Sequence, residues 1–167
     1  MFSDTLLADA RSLLEVCRHK KLTLVTAESC TGGLITSLLT EIAGSSDVVD
    51  RGFVTYSNQA KQDMLGVPAT LLEHYGAVSA EVAHAMAQGA LKHSYADIAV
   101  SVTGIAGPGG ATSGKPVGLI YIAVALKGAE TQVKECHFQG PRQQVRLAAV
   151  REGMDLILEA LNLTYSC

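Results

Sequence analysis

The chain has 167 residues, of which 48% are hydrophobic, and a formal net charge of -3. A chain of this size and composition can bury a full hydrophobic core, and we expect residues 1–167 to form a single domain. The 13 Lys and Arg are scattered along the sequence, which argues against nucleic acid as a partner. No run approaches the roughly 20 apolar residues of a membrane span and no leader is evident, so we expect a cytoplasmic protein.

The cysteines and histidines do not form a recognisable ligand set. The four cysteines, at positions 17, 30, 136 and 167, include no C-x-x-C pair, and the five histidines show no ligand spacing. We therefore expect reduced thiols, no structural metal and no cofactor.

Helices and strands alternate along the first half of the sequence. Ser3 or Asp4 can cap an amphipathic first helix, and a buried strand follows it. A second helix ends at Gly44, and a strand rich in β-branched and aromatic residues leads into a short helix through Lys61. The predicted ranges are 4–20, 22–28, 29–44 and 48–57 for these first four elements.

The second half continues with helices and ends in a hairpin and a helix. Pro68 can open a helix over ATLLEHY, and Ser79 can cap an alanine-rich helix suited to close packing on a sheet. Strands are predicted over 97–104, 117–126 and 131–138, and Pro141 opens a helix running to about Leu161. The order predicts a three-layer α/β/α domain with a mixed β-sheet and ligand groups in loops at the strand ends.

Ser29, in AESCTGG, stands at the predicted junction of the first strand and the second helix. Its hydroxyl can face a cleft, and nearby amides, including those of 31–33, could bind an oxyanion. The alternative is a simple helix cap, the role for which Ser is favoured. Gly32 and Gly33 favour the functional interpretation, because two glycines in a first helical turn cost about 1 kcal/mol each and suggest a close backbone approach to a ligand.

A nucleophilic serine needs a base, and no histidine stands in an obvious strand-end loop. Lys61 is the best candidate if desolvation lowers its pKa, although a lone lysine is usually solvated. Tyr56, at the end of the same strand, could relay a proton or orient the lysine. Cys30 is a rival nucleophile, because a helix N-terminus lowers a thiol pKa, but only one of two adjacent residues can face the cleft.

The segment GGATSGKP, at 109–116, nearly spells a phosphate loop. Pro116 replaces the hydroxyl residue that holds magnesium and a strand follows, which excludes an ATPase of that kind. Gly104 and Gly107 still offer amides for a phosphate or a ring amide, unless the loop is only a flexible approach to the hairpin. Thr103 adds a hydroxyl at the strand end.

Two arginines lie four residues apart on the predicted last helix, on one face. Arg142 falls in the first turn, where the helix dipole and the guanidinium together favour an anion. For Arg146, a solvent-facing position is equally compatible with the sequence. The pattern therefore predicts anion binding at Arg142 and leaves Arg146 open.

Six blocks of this sequence, in order, resemble the CinA C-terminal domain family: TAESCTGG, GSSDVVDRGFVTYSNQAK, GAVS, SVTGIAGPGG, KPVG and GPR-x-x-VR. Its stand-alone members, which the chain resembles in length and in having no preceding domain, are nicotinamide-nucleotide amidases. They convert nicotinamide mononucleotide and water into nicotinate mononucleotide and ammonia in pyridine nucleotide recycling. The resemblance implies that Ser29 is the nucleophile, Lys61 its general base and Tyr56 an assisting hydroxyl.

The resemblance also implies a set of substrate contacts, with the phosphate on Arg142 or a glycine-rich turn. The set comprises Thr31, Gly32, Gly33, Ser46, Thr103, Gly104 and Arg142. Two alternatives remain: a non-catalytic nucleotide-binding or competence/damage-related interaction module, and an esterase or lactamase with the same Ser-Lys pair. We expect a homodimer, since twofold dimers are the commonest assemblies.

Overall fold

The computed structural model describes residues 2–165. Within that range six helices and five strands follow one another largely in the predicted order. Their bounds are α1 Asp4–Lys20, β1 Leu24–Glu28, α2 Leu34–Thr40, β2 Val49–Val54, α3 Asn58–Leu65, α4 Ala69–Tyr75, α5 Ala80–Lys92, β3 Ile98–Gly104, β4 Leu119–Leu126, β5 Gln132–His137 and α6 Arg142–Tyr165, with a 3-10 turn at Ser45–Asp47 before β2.

The five strands form one mixed sheet in the order β2-β1-β3-β4-β5. β1 pairs in parallel with both β2 and β3, whereas β4 runs antiparallel to β3 and β5. The carboxyl ends of β1, β2 and β3 therefore meet at one edge of the sheet. The loops at this edge are the usual position of a ligand in an α/β protein.

Helices cover both faces of the sheet, which confirms the predicted three-layer α/β/α architecture. One face carries large side chains such as Val100 and Ile122, which pack with α1, α2 and α6. The other face carries small side chains, including Ala99 and Ala123, and packs against α3, α4 and α5. The alanines predicted to suit close packing in α5 lie on this second face, because small residues on both surfaces let helix and sheet approach closely.

The second helix departs from the prediction, because it begins at Leu34 instead of residue 29 and ends at Thr40 instead of Gly44. Gly32 and Gly33 have φ angles of 59° and 92°, left-handed values that a right-handed α-helix does not contain. The two glycines thus form a turn ahead of the helix. Their conformation explains them without any close approach of a ligand.

Three of the four cysteines can be described, and Cys17, Cys30 and Cys136 are buried free thiols. Cys167 lies outside the described residues. Across residues 2–165, no three His, Cys, Asp or Glu side chains are grouped as a metal site. No helix in the same range is both long enough and apolar enough to cross a bilayer.

Candidate functional site

A pocket of about 250 Å³ opens at the carboxyl edge of the parallel strands. Ser29 directly follows β1, Tyr56 follows β2, and Thr103 and Gly104 end β3, so the parallel pairing brings all four together. Other lining residues come from the start of α3, from 77–78, from the loop after β3 and from Arg142.

Ser29 and Lys61 are in direct contact at the base of this pocket. The Lys61 Nζ lies 3.0 Å from the Ser29 Oγ and donates to the Thr55 carbonyl at 2.9 Å. Ser57 caps α3 by accepting from the Ala60 amide, and this helix carries Lys61 inward beneath the end of β2. A serine hydroxyl held against a lysine amine is an arrangement that can activate the serine as a nucleophile.

Lys61 is almost completely buried, with 1% of its surface exposed. No carboxylate pairs with its amine among the described residues. Burial lowers the pKa of Lys61, because the charged ammonium loses its hydration, and only a weaker interaction with Cys30 opposes this effect. A lysine in such surroundings is able to accept a proton.

Tyr56 and Arg142 form the outer rim of the pocket. Tyr56 is 63% exposed, and its hydroxyl accepts a hydrogen bond from the Arg142 Nη2 at 3.1 Å. The Arg142 Nη1 donates to the carbonyl of Gly107 at 2.9 Å, which ties the start of α6 to the glycine-rich loop. The guanidinium therefore stands at the mouth of the pocket, where an anionic group of a ligand could reach it.

Several backbone amides of the turn between β1 and α2 already donate hydrogen bonds within the protein. The Gly32 amide donates to the Ser29 carbonyl at 3.0 Å, and the Gly33 amide donates to the buried Glu28 carboxylate at 3.1 Å. Neither amide is available to an oxyanion, which corrects the expectation for 31–33. Among the described residues, no oxygen accepts the amides of Cys30 and Thr31. Of these two residues Cys30 lines the pocket, so the Cys30 amide could serve instead.

Three predicted substrate contacts offer no free polar side chain to the pocket: Thr31, Thr103 and Gly104. The Thr31 hydroxyl is buried without a partner among the described residues, and Thr31 does not line the pocket. The Thr103 hydroxyl lines it but donates to the Ala77 carbonyl at 2.7 Å. A side chain at Gly104 would collide with Leu119 and Ile120 of β4, which explains the glycine by strand packing.

Ser46 is not brought to the pocket. It is exposed in the 3-10 turn ahead of β2, and β2 runs parallel to β1. Ser46 therefore lies at the amino edge of the sheet, opposite the edge that carries Ser29. Within this chain, the position of Ser46 gives no support to the predicted substrate contact.

Cys30 lines the pocket as a nearly buried side chain with 6% exposure. Burial raises the pKa of the Cys30 thiol to about 12, so the thiolate is scarce at neutral pH. Cys30 lies ahead of α2, which begins at Leu34, so the helix N-terminus that was expected to lower its thiol pKa is not at this residue. The environment therefore favours Ser29 over Cys30 as the nucleophile.

Sequence reasoning missed two residues around this site, Glu28 and Asn58, and left the role of Arg146 open. Glu28, fully buried at the end of β1, accepts hydrogen bonds from the amides of Gly33, Ile35 and Thr36. Arg146 donates to the carbonyls of Cys30 and Thr31 instead of facing solvent, and Asn58 lines the pocket. The spacing of Arg146 from Arg142 was the one signal in the sequence, whereas nothing local indicated the partners of Glu28.

Comparisons with known proteins place this geometry in a family. The family model described as the CinA C-terminal domain matches residues 8–161. The Agrobacterium tumefaciens competence/damage inducible protein CihA has a solved structure that superposes with a TM-score of 0.93 at 48% identity, covering 97% of this chain and 98% of that one. A CinA superfamily protein from Escherichia coli superposes with a TM-score of 0.90 at 36% identity, covering 96% and 94%.

The chain is similar to relatives of two kinds, some much longer than the chain and some of comparable length. A CinA-like protein from Syntrophomonas wolfei is 47% identical over 155 residues, which are 93% of this chain but 36% of that protein. The chain thus spans little more than a third of the longer relatives that it matches. The nicotinamide-nucleotide amidohydrolase PncC of Enterobacter agglomerans is 54% identical over 123 residues, covering 74% of this chain and 75% of that protein. The matched range, the identities and the superposed structures agree: the chain belongs to the CinA C-terminal domain family.

Proposed function

We propose that this protein is a nicotinamide-nucleotide amidase, which hydrolyses nicotinamide mononucleotide to nicotinate mononucleotide and ammonia. The observation that carries the proposal is the 3.0 Å contact between the Ser29 hydroxyl and the buried, carboxylate-free amine of Lys61. The substrate assignment is supported by similarity to the relative named as a nicotinamide-nucleotide amidohydrolase. The role in pyridine nucleotide recycling belongs to the same proposal.

In the proposed reaction, neutral Lys61 accepts the proton of Ser29 as the Oγ attacks the carboxamide carbon. The negative charge that develops on the carboxamide oxygen is stabilised by a backbone amide, for which that of Cys30 is available. When the tetrahedral intermediate collapses, the carbon–nitrogen bond breaks and protonated Lys61 returns its proton to the departing ammonia. Water then attacks the ester on Ser29 with Lys61 again as base, and the nicotinate product leaves.

Binding of the rest of the nucleotide is assigned to the rim of the pocket. The Arg142 guanidinium is the cation at the mouth, and a phosphate there would form charge-assisted hydrogen bonds. The exposed Tyr56 ring and hydroxyl stand beside it, so Tyr56 is proposed to assist in orienting the ring and its carboxamide. Holding the substrate at both ends would position the amide over Ser29.

The other predicted substrate contacts have different roles in the proposal from those expected from the sequence. Thr103 and Gly104 are proposed to form part of the pocket wall without binding the substrate through their side chains. The Thr103 hydroxyl is already bonded, and Gly104 allows close packing on β4. The turn of Thr31, Gly32 and Gly33 is proposed to support the Cys30 amide beside the carboxamide oxygen, because the Gly32 and Gly33 amides are already bonded. Ser46 has no part in this scheme.

The proposal is tested by measuring ammonia release from nicotinamide mononucleotide, with a chelator present throughout. We expect turnover by the wild type, a loss of about 10³-fold or more in Ser29→Ala and in Lys61→Ala, and retained activity in Cys30→Ala. The chelator should have no effect, because the proposed chemistry uses side chains and water alone. Hydroxylamine should trap the ester on Ser29 as a hydroxamate of the nicotinate product.

Different outcomes separate the competing assignments. Loss of activity in Cys30→Ala with an active Ser29→Ala would make the thiol the nucleophile. Tight binding of the nucleotide without any ammonia would indicate a binding module. Equal rates on nicotinamide riboside, which lacks the phosphate, would point to an amidase or esterase that does not recognise nucleotides.

Two further parts of the proposal concern the setting of the protein. We propose that the enzyme acts in the cytoplasm and that it forms a homodimer. Light scattering on the purified chain measures the second point directly, and a monomer mass at working concentration would reject it.

A further inference from the structure

Arg146 contacts the backbone of the Ser29 turn without lining the pocket. It lies one helical turn along α6 from Arg142, and its Nε donates to the Cys30 carbonyl at 3.1 Å. Its Nη2 donates to the Thr31 carbonyl at 2.8 Å. Arg142 lines the pocket and Arg146 does not, so the two arginines on this helix face contact different parts of the site.

These hydrogen bonds fix the orientation of a peptide plane. In a trans peptide the carbonyl and the following amide point in opposite directions. Because Arg146 holds the Cys30 carbonyl, the Thr31 amide faces away from α6. The Thr31 carbonyl also accepts from the Leu34 amide at 3.2 Å, whereas Arg146 supplies the one donor to the Cys30 carbonyl within residues 2–165. The peptide between Cys30 and Thr31 therefore depends on Arg146.

An opposite charge holds the other end of the same turn. The buried Glu28 carboxylate accepts from the Gly33 amide at 3.1 Å and from the Ile35 amide at 3.0 Å. Between these two ties lie Gly32 and Gly33, whose positive φ angles make the segment intrinsically adaptable. A turn of this composition needs outside contacts to keep one conformation, and Arg146 and Glu28 provide them.

We infer that Arg146 is a positioning residue for hydrolysis, which keeps the turn after Ser29 in the conformation that presents the Cys30 amide, at the pocket wall, to the oxyanion that forms when Ser29 attacks. This inference rests on the proposed function. Without Arg146, rotation of the peptide between Cys30 and Thr31 would shift the backbone of Cys30 and turn its amide away from the developing charge. Arg146 would act through the backbone, so its loss should slow the chemistry and leave substrate binding nearly unchanged.

The test compares Arg146→Met and Arg146→Lys with Arg151→Met, a matched substitution on the same helix. Arg151 is an exposed residue whose ion pair is with Asp9, on α1. Two rates are measured for each: ammonia release from nicotinamide mononucleotide, and labelling of Ser29 by a fluorophosphonate probe, located by mass spectrometry. Like the attack on the carboxamide, the labelling reaction develops negative charge on an oxygen beside Ser29. It does not require binding of nicotinamide mononucleotide.

For Arg146→Met we expect kcat to fall by about 100-fold, the cost of losing one oxyanion donor, with KM nearly constant and labelling slowed in parallel. Arg146→Lys, which reaches one carbonyl, should fall between it and the wild type, and Arg151→Met should match the wild type. The pH midpoint of activity should stay unchanged, because Lys61 is untouched. If Arg146→Met does not fold, the kcat and labelling rate of Arg146→Lys decide.

Wild-type kcat and labelling in Arg146→Met, or a loss confined to KM, would overturn the inference. Labelling of wild-type Ser29 without ammonia release would instead reject the proposed substrate, and the labelling rates of the variants would still decide the role of Arg146. A wild type that is not labelled at Ser29 would contradict both.

Discussion

Lys61 is the residue on which the proposed chemistry depends, and its surroundings make the protein sensitive to pH. The amine is buried against a hydroxyl and a carbonyl, two neutral partners that do not compensate a positive charge. The same burial that lowers its pKa makes the protonated state costly to the fold. Activity and stability should therefore respond to the same proton.

We expect kcat/KM to rise with pH through a midpoint below the ordinary lysine range, because the neutral amine is the active form. In the window between the lowered pKa of folded Lys61 and the ordinary pKa of the unfolded chain, the unfolded state binds more protons. Stability should consequently rise with pH across that window. Urea unfolding at several pH values should show this slope in the wild type, and Lys61→Met should lack it. An identical slope in both proteins would count against a neutral Lys61.

Arg142 should contribute to recognition of the phosphate. Removing a charged hydrogen-bonding partner costs about 1.5–3 kcal/mol, so Arg142→Met should raise KM for nicotinamide mononucleotide by roughly 10- to 100-fold. Activity on nicotinamide riboside should change much less. Steady-state kinetics on both substrates measure this, with Arg151→Met as control. Equal losses on the two substrates would mean that Arg142 acts through Tyr56 and Gly107 instead.

Helix α3 carries Lys61, and its position is set by close packing on α5. A side chain at Gly89 of α5 would collide with the Leu65 carbonyl at the end of α3. The two helices can approach this closely because α5 has no side chain at that point. The location of the base thus depends on a residue far from the pocket in sequence.

Gly89→Ala and Gly153→Ala make the same change in two buried helices with opposite expected results. At Gly89 the new methyl meets backbone, so we expect a loss of about 1–3 kcal/mol in the free energy of unfolding, and a lower kcat as α3 moves. At Gly153 of α6 it would lie 3.3 Å from the flexible end of Ile35. There the helix-propensity gain of up to about 1 kcal/mol should offset the contact. Denaturant unfolding and kcat are measured on both variants. A Gly89→Ala protein with unchanged stability and kcat would refute the prediction.

The sequence predicted the elements well where local pattern decides them and failed where distant contacts decide them. Alternation and apolar runs indicated the five strands. Lys61 could be proposed as the base for Ser29 because no histidine stands in an obvious strand-end loop and because the family resemblance implies the pair. The start of α2 was wrong, because a carboxylate from the preceding strand and two left-handed glycines outweigh helix propensity there. Arg146 was undecidable, since its partners lie more than 100 residues away. The position of Ser46 required the direction of β2, which only the assembled sheet gives.

Taken as a whole, the molecule is built around β3, which lies between β1 and β4 in the centre of the sheet. All but the last of its residues are buried, whereas most of β2, an edge strand, is exposed. Stability in such a fold is distributed unevenly, with the centre opening only when the whole domain unfolds. The pocket stands where the most stable strand meets more exposed loops.

Amide hydrogen exchange should reveal this gradient. We expect the amides of Ile98–Val102 to exchange slowest, with a free energy of opening equal to that of global unfolding, and those at the outer edges of β2 and β5 to exchange much faster. Exchange followed by mass spectrometry, compared with urea unfolding, gives both quantities. Equal protection of β2 and β3 would contradict the inferred gradient.

The hydrogen bonds of Arg146 and Glu28 attach the Ser29 turn to α6 and β1, and Lys61 is fixed by α3. The pocket wall formed by Gly107, Gly109 and Gly110 comes from another part of the chain and carries none of these contacts. This wall is thus encoded in a different segment from Ser29 and Lys61, the residues proposed for the chemistry. Evolution, or a protein engineer, can vary the wall to admit other carboxamides while the hydrolytic machinery stays intact.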